Sequence, residues 1–401
     1  MPRTRLPRAL LLCLLAGPLT AADWPCWRGA NHDGQSPETG LDWVGGVGTP
    51  RILWRAQVGR GSSAFAVVKK RAYTLGNENE EDVVRCLDAE SGETRWTFRY
   101  PCALFPLSYE GGPSATPAVS AGKVYTLGKF GQAYCLDAAD GKVLWTHRFA
   151  PPATNSNDYR AWWGFAGSPL VLDRQVIYPV GTFAAALDRD SGKLLWDNGE
   201  GRPGYSTPVP FMSRGEQIIS FVSGHEVVAA KAAGGAPLWR LPWRTTWDMN
   251  ASDVVPVGEK LFVSSGHGMG CALLDLSGGE PKELWRNKNL RTEYATAVRW
   301  KGSLYAFDIR KLACLDEASG EARWKSDDLD FGALTLADGK LVAQLEKGGL
   351  LVAEADPAGF KLVARGEVFT NRSWTVPTLS DGRLFLRSAR GDVACVDVRP
   401  R

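Results

Sequence analysis

The feature that most constrains this chain is one motif that it repeats: a short apolar run, Leu-Asp, a turn containing Gly, and Trp. The copy "YCLDAADGKVLW" (134–145) resembles "RCLDAESGETRW", "AALDRDSGKLLW" and "ACLDEASGEARW". The Asp of the motif occurs at Asp88, Asp137, Asp188, Asp275, Asp316 and Asp397, with Lys231 and Asp356 at the same place in two degenerate copies. Successive copies lie 40 to 51 residues apart. A period in the forties is typical of the four-stranded blades of a β-propeller.

One complete unit, residues 114–149, divides into four short strands. The segments "ATPAV", "KVYTLG", "QAYCLD" and "KVLWTHR" are rich in β-branched and aromatic residues and are separated by turns that contain Gly. The Trp falls on the fourth strand, where we expect it to lie between adjacent blades. A buried Trp removes about 150–250 Å² from water, worth very roughly 4–6 kcal/mol before entropy is subtracted. The seventh copy has Val363 at this place, which predicts the loosest blade.

The two ends of the chain complement each other. The last copy stops after its third strand, whereas "RILWRAQVG" near the start is a Trp strand, with Trp54, that has no blade of its own. Pairing the two would close the ring and remove two exposed edges. The sequence therefore predicts an all-β, eight-bladed propeller over residues 51–401, preceded by an extension at 23–50.

The first 22 residues read as a secretory signal peptide. Arg3, Arg5 and Arg8 precede the apolar stretch "ALLLCLLAG", and small residues lead to an expected mature start at Asp23. No later stretch is apolar and long enough for a membrane helix. Without these three Arg residues the bases fall from 47 to 44, equal to the 44 acids, which argues against a nucleic-acid partner. We therefore expect an exported protein, periplasmic or extracellular.

Seven cysteines follow the predicted signal peptide. Cys86, Cys135, Cys314 and Cys395 each stand two residues before the motif Asp, and we interpret them as small core residues. Cys26 and Cys102 lie outside this pattern and could pair, although an odd total leaves at least one thiol without an intramolecular partner.

The repeats "LDAADGKVLW" and "LDRDSGKLLW" resemble those of pyrroloquinoline-quinone (PQQ) propellers. That superfamily includes quinoprotein alcohol dehydrogenases and an assembly factor for outer-membrane proteins. "DWPCWRGANHDGQSPETGL", "SSGHGMGCALLDL" and "NKNL" resemble a group of exported PQQ-like propeller proteins. The resemblance to the dehydrogenases implies PQQ and Ca²⁺ as cofactors. The chain departs from them in having no Cys-Cys pair and shorter loops, and from the assembly factor in lacking a lipoprotein signal.

Candidate site residues lie where the chain approaches an innermost strand, since propellers bind ligands at the channel mouth. The longest such insertion, "APPATNSNDYRAWWGFAG", offers Arg160 with Trp162 and Trp163 for a flat, charged ligand. Trp247, Arg291 and Trp374 occupy related positions in later blades. Asp248, Asn250 and Asp253 in "TTWDMNASD" provide oxygen atoms suited to Ca²⁺. Blade-capping aromatics and turn hydrogen bonds explain the same residues without a ligand.

The sequence favours a binding function over catalysis. It contains no HExxH motif, no CxxC pair and no phosphate-binding glycine loop. We expect a non-catalytic binding or protein-interaction scaffold of the cell envelope, with no cofactor, whose partner is an envelope protein or a small molecule held at the mouth. Assembly of outer-membrane proteins is a special case of this role. The alternative is a PQQ- and Ca²⁺-dependent alcohol dehydrogenase.

Overall fold

A computed structural model describes residues 22–106, 109–151 and 163–401. Eight antiparallel blades of four strands form a β-propeller, and one of these sheets gains a fifth, parallel strand from the N-terminal segment. The predicted fold and blade number are therefore confirmed. The helical structure of the described residues is the single π-helical turn Val44–Gly48. No helix in this part of the chain combines the length and the apolar character that a membrane crossing would require.

The strands are numbered in chain order, and each blade runs from its innermost to its outermost strand. The N-terminal segment holds β1 (Gln35–Ser36) and β2 (Ile52–Gln57). Blades 1 to 4 consist of β3 (Ala66–Val68), β4 (Arg71–Glu78), β5 (Glu81–Asp88), β6 (Thr94–Pro101); β7 (Ala118–Ser120), β8 (Lys123–Leu127), β9 (Gln132–Asp137), β10 (Val143–Arg148); β11 (Leu170–Leu172), β12 (Gln175–Tyr178), β13 (Ala185–Asp188), β14 (Leu194–Asp197); and β15 (Val209–Ser213), β16 (Glu216–Val222), β17 (Glu226–Lys231), β18 (Pro237–Pro242).

Blades 5 to 8 follow the same order, except that blade 8 takes its outermost strand, β2, from the N-terminal segment. They consist of β19 (Val255–Val257), β20 (Lys260–Ser265), β21 (Gly270–Asp275), β22 (Lys282–Asn287); β23 (Val298–Trp300), β24 (Ser303–Asp308), β25 (Lys311–Asp316), β26 (Ala322–Lys325); β27 (Gly332–Ala337), β28 (Lys340–Leu345), β29 (Gly349–Glu354), β30 (Leu362–Glu367); and β31 (Thr378–Ser380), β32 (Arg383–Arg387), β33 (Asp392–Asp397), β2.

The ring closes as predicted, because β2 pairs antiparallel with β33. Trp54 lies opposite Cys395, in the same register in which Trp96 lies opposite Cys86 in blade 1. A fully buried guanidinium reinforces this closure. Arg387 of blade 8 donates to the carbonyls of Gly59 and Ser63, 2.9 Å each, and to the carbonyl of Leu75. Burial lowers the pKa of Arg387 to about 9, and these backbone oxygens replace water as partners of its charge.

At five blade interfaces the Trp packs on the turn glycine of the following blade, whereas Gly279 after Trp239 and Gly359 after Trp324 have no Trp within 4 Å. A Cβ atom on Gly141 would lie 2.6 Å from the Trp96 ring, and one on Gly192 would lie 2.6 Å from Trp145. Both glycines have positive φ, which L-residues rarely adopt. The Trp96 indole also donates to the carbonyl of Ala138 at 3.2 Å. The expected position of Trp between blades is confirmed, and the motif glycine is what leaves room for the ring.

Blade 7 lacks this Trp, but its apolar core is completed by another one. Trp43, which directly precedes the π-helical turn, is 4% exposed and lies in one cluster with residues of blades 7 and 8. Val363 packs against the same cluster. The backbone of the turn approaches β30 so closely that a Cβ atom on Gly366 would lie 2.1 Å from the carbonyl oxygen of Val47. The N-terminal extension thus supplies the aromatic ring that the seventh repeat has lost.

The suggested pairing of Cys26 with Cys102 is wrong. All seven cysteines of the described residues are buried free thiols. Cys26 lies in an N-terminal turn, where its thiol donates to the carbonyl of Gly29 at 3.2 Å, and Cys102 belongs to the core at blade 1. Cys86 and its counterparts in other blades are fully buried on third strands, which confirms their interpretation as core residues.

The N-terminal extension crosses the end of the channel at which the innermost strands finish. Trp24 bridges to Val67 of blade 1, and the carbonyl of Pro25 accepts from the amide of Val119 in blade 2. On the other side, β1 pairs parallel with β27 of blade 7. Because the segment spans these blades, the channel is closed at this end and open at the other, where the innermost strands begin.

Candidate functional site

A ring of hydrogen bonds joins neighbouring blades where the innermost strands begin. In each case a backbone amide of one blade donates to the side chain at the same position of the next blade. The bonds, 2.7–3.1 Å long, run from Ala64 to Thr116, from Thr116 to Ser168, from Ser168 to Thr207, from Thr207 to Asp253 and from Asp253 to Thr296. Blade 5 therefore places a carboxylate where its neighbours have hydroxyls.

The carboxylate of Asp253 is buried and fully engaged. Its Oδ1 accepts from the amide of Thr207 at 2.7 Å, and its Oδ2 accepts from the indole of Trp27, also at 2.7 Å. The guanidinium of Arg28 lies 4.0 Å from Oδ2. Burial raises the pKa of Asp253, while Arg28 and these hydrogen bonds oppose the rise. Asp253 thus anchors the Trp27–Arg28 tip of the extension inside the channel.

Above this floor lies a cavity of about 200 Å³ that opens at the mouth. Aromatic residues contributed by separate loops form its walls. Trp163 packs edge-on against Tyr205 at 5.9 Å between ring centroids, and Trp374 contacts Tyr109 at 6.3 Å and Tyr294 at 5.5 Å. The described residues that line the cavity are Trp27, Ser62, Tyr109, Ser114, Trp163, Ala166, Ser168, Tyr205, Thr207, Met249, Ala251, Asp253, Tyr294 and Trp374.

A buried lysine supports one wall of the cavity from behind. The Lys129 ammonium donates to the hydroxyl of Tyr109 at 2.7 Å, and this hydroxyl in turn donates to the carbonyl of Trp163 at 3.2 Å. Burial lowers the pKa of Lys129 to about 8, against the opposing effects of Cys102 and Asp82. Lys129 therefore fixes two wall residues, Tyr109 and Trp163, relative to each other.

The rim beside Trp374 carries more acid than base. Arg372 lies over the Trp374 ring, 4.7 Å from its centroid, and contacts the carboxylates of Glu110 at 3.2 Å and Glu346 at 3.7 Å. Glu346 also accepts from the Trp374 indole at 2.8 Å. Among the described residues of this part of the rim, one guanidinium thus faces two carboxylates.

The structure brings together some of the predicted cofactor-binding residues and separates others. Trp163 and Trp374 line the cavity. Trp247 does not, and it is 63% exposed. Arg291 is held away by Asp308, whose two oxygens lie 2.8 and 3.0 Å from its guanidinium. Arg160 and Trp162 lie outside the described residues.

The three residues predicted to bind metal have separate partners. Asp248 contacts the side chains of His225 and Arg244, each at 3.1 Å. Asn250 is fully buried, and its oxygen accepts from the hydroxyl of Ser265 at 2.9 Å while its nitrogen donates to backbone carbonyls. Both oxygens of Asp253 accept hydrogen bonds, from Thr207 and from Trp27. Throughout the described ranges no three His, Cys, Asp or Glu side chains form a metal-binding group.

Sequence reasoning missed Trp27 and most of the aromatic wall, although a positional signal was present. In a strand, residues two apart share a face. Cavity residues stand two positions before ring residues, as in Tyr205 before Thr207 and Tyr294 before Thr296. Aligning the copies on the ring position rather than on the Leu-Asp step would have selected them. Trp27 lies outside the repeats and carries no such signal.

The fold and the mouth cavity define a propeller with an aromatic cavity at one end of its channel. The chain belongs to the PQQ-like repeat family whose model is described as "Outer membrane protein assembly factor BamB" and matches residues 80–326, more than half of the chain. It is 29% identical over 199 residues to the quinohemoprotein alcohol dehydrogenase ADH IIB of Pseudomonas putida. That match covers 46% of this chain but 25% of the dehydrogenase, so the chain spans only part of this curated relative.

Solved structures show the same fold at low sequence identity. BamB from Moraxella catarrhalis is 14% identical, with a TM-score of 0.65 over 87% of this chain and 98% of that chain. Quinohemoprotein alcohol dehydrogenase from Comamonas testosteroni is 13% identical, with a TM-score of 0.62 over 94% of this chain and 82% of that chain. The fold is thus shared with a protein named for assembly and with proteins named for oxidation of alcohols.

The described cavity does not match the chemistry of a Ca²⁺-bound quinone. Ca²⁺ takes about six to eight oxygen ligands. The cavity offers one carboxylate, Asp253, whose two oxygens already accept hydrogen bonds from Thr207 and Trp27. PQQ carries carboxylates, yet no Lys or Arg is among the described lining residues. Among the described lining residues, a quinone would therefore meet aromatic rings without basic groups for its carboxylates and without free oxygen ligands for Ca²⁺.

Proposed function

We propose that the protein is exported and acts as a non-catalytic binding protein of the cell envelope, holding a ligand or partner segment in the mouth cavity. The observation that carries this proposal is the aromatic cavity itself, with Tyr109, Trp163 and Trp374 on its walls and Trp27 on its floor. Concave sites lined by aromatic rings with a few polar groups are the usual form of a ligand site. Tyr and Trp also contribute large contact areas at low entropic cost.

Three further considerations support this role. The matching family is named for assembly of outer-membrane proteins, a scaffolding activity, and we propose it as one form that the binding takes here. Export rests on the signal-like segment before Asp23, most of which lies outside the described residues. The engaged state of Asp253 also favours binding, because a carboxylate with both oxygens occupied is poorly placed to accept a substrate proton.

Cross-linking from defined positions tests the proposal. A photoreactive residue at Met249, on the cavity lining, is compared with one at Lys301, in an exposed turn at the opposite end of blade 6. In cells that export the protein, Met249 should give one discrete cross-linked species that an unlabelled excess of the protein reduces, and Lys301 should not. Equal cross-linking from both positions would contradict a specific site at the mouth.

The alternative is a PQQ- and Ca²⁺-dependent alcohol dehydrogenase, favoured by the named activity of the sequence relative. It is tested by titrating the purified protein with PQQ, with and without Ca²⁺, while following Trp fluorescence. Alcohol oxidation is then measured with an artificial electron acceptor. Saturable, Ca²⁺-dependent quenching with turnover would overturn the non-catalytic proposal. We expect neither, because the described cavity offers no free oxygen cluster and no basic residue to a tricarboxylate.

A further inference from the structure

The mouth cavity has the properties of a cation receptor. Rings from five places in the chain line the same space: Tyr109, Trp163, Tyr205, Tyr294 and Trp374. The faces of aromatic rings carry partial negative charge and attract cations that lie within about 6 Å of the ring centre. Arg372 already uses one such face, since its guanidinium lies 4.7 Å from the centroid of Trp374. The walls are therefore suited to a positive charge surrounded by apolar groups.

The formal charges of the described residues around the cavity also favour a positively charged ligand. Asp253 is the charged side chain among the described lining residues, and Arg28 offsets it from a distance of 4.0 Å below the floor. At the rim, Glu110 and Glu346 outnumber Arg372. Lys129 opposes this pattern, but its ammonium lies behind Tyr109 and interacts with Asp82.

The Tyr294 hydroxyl, at another side of the cavity, is also influenced mainly by negatively charged groups. Burial raises its pKa, and the charges of Glu346, Asp330 and Glu293 raise it further against one opposing effect from Arg372. Among the described residues its hydroxyl has no hydrogen-bond partner, although it is buried at the cavity wall. Two of these carboxylates are partly offset by cations, since Asp330 lies 3.0 Å from Arg310 and Glu346 lies 3.7 Å from Arg372. The buried hydroxyl of Tyr294 is a hydrogen-bonding group at the cavity wall that a ligand can reach.

We propose that this cavity binds a small organic cation with apolar substituents, of which a quaternary ammonium head group is the best match. The volume of about 200 Å³ is below the range of about 300–1,000 Å³ typical of drug-sized ligands, and it suits a compact head group. A quaternary ammonium has no N–H to satisfy, which fits aromatic walls with few hydrogen-bond acceptors. This inference rests on the mouth cavity of the proposed function and names the chemistry that it accepts.

Calorimetric titration with choline tests the inference against a neutral analogue of the same shape. In 3,3-dimethylbutan-1-ol a carbon atom replaces the charged nitrogen, so the two ligands differ in charge alone. We expect choline to bind roughly 3- to 30-fold more tightly. Equal affinity for both would overturn the cation inference while leaving an apolar ligand site intact. Failure of both to bind at 100-fold molar excess would overturn it as well.

Two matched variants locate the binding. Trp374→Leu removes a wall ring, and Trp247→Leu removes an exposed Trp that does not line the cavity. Only the first should weaken choline binding, by about 10-fold or more, and Trp374→Phe should restore part of the loss. Equal loss in both variants would overturn the assignment to the cavity. The cross-links from Met249 are read out separately, so a failed choline titration does not decide whether a partner binds.

Discussion

The contact between a blade Trp and the turn glycine of the next blade can be tested within blade 2, which holds two glycines of matching conformation. Gly141 has φ +78° and Gly122 has φ +76°. A Cβ atom at position 141 would lie 2.6 Å from the Trp96 ring, whereas one at position 122 would meet nothing within 4 Å. In both Gly141→Ala and Gly122→Ala, an alanine in the left-handed conformation costs about 1–2 kcal/mol. In both, the lower entropy of the unfolded chain offsets part of this cost.

The two variants differ in the clash with Trp96. Forcing an extra methyl group into a packed contact costs about 1–3 kcal/mol, because the ring lies between two sheets and cannot move freely. We therefore expect Gly141→Ala to lower the free energy of unfolding by about 1–3 kcal/mol more than Gly122→Ala does. Urea unfolding, followed by Trp fluorescence and by circular dichroism, measures both values.

A double-mutant cycle then identifies the cause of the difference. In a Trp96→Ala background the ring is absent, so the two glycine variants should be equally stable within about 0.5 kcal/mol. Equal destabilisation in the wild-type background would refute the steric reasoning. A difference that persists without Trp96 would show that another contact of Gly141 is responsible.

Three further outcomes follow from the N-terminal extension and the mouth. Trp43→Ala should lower the free energy of unfolding by about 3–5 kcal/mol, because the ring completes the core at blade 7, whereas Trp247→Ala should change it by less than about 0.5 kcal/mol; an equally small effect for Trp43 in urea unfolding would contradict its role. Asp253→Thr restores the hydroxyl found in neighbouring blades but removes the acceptor of Trp27 and the counter-charge of Arg28, so hydrogen exchange at residues 24–36 should speed up while the Thr207 amide stays protected; unchanged exchange at 24–36 would show that the extension is held elsewhere. Lys129 has a folded-state pKa of about 8, lowered from 10.5, so the unfolded state binds more protons between these values and the Lys129 contribution to stability rises with pH across that window; Lys129→Met should flatten this rise in urea unfolding measured from pH 7 to 10, and an unaltered slope would refute it.

The architecture was predictable because it is periodic. The Leu-Asp steps fixed the blade count, and the missing fourth strand after Asp397 pointed to Trp54 as its replacement. The loosest blade that Val363 suggests stays a prediction. The sequence did not reveal that Trp43, which lies outside the repeats, packs in the same cluster as Val363. Local periodicity carries no information about a contact made between residues more than 300 positions apart.

The site was predictable in part for a related reason. Trp163, Trp374 and Asp253 were selected because they precede innermost strands, and all three reach the cavity. Trp247 and Arg291 are in the same connecting segments but not at the lining position, because Trp247 lies in an exposed turn and Arg291 is paired with Asp308. Asp253 was expected to bind metal, yet its oxygens are engaged by Thr207 and by Trp27, which is 226 residues away. That partner could not be inferred from spacing.

Closure of the ring by β2 and β33 also sets an order of events during synthesis. The strand that contains Trp54 is made first, but its pairing partner around Cys395 is made last. Arg387 likewise reaches back to Gly59 and Ser63, more than 320 residues earlier. Blade 1 therefore forms before blade 8, its neighbour in the ring, exists. The N-terminal strand keeps an unpaired edge until the C-terminal residues have been synthesised. The ring becomes complete only once the whole chain is present, so a nascent or truncated chain exposes a β-edge that the finished protein conceals.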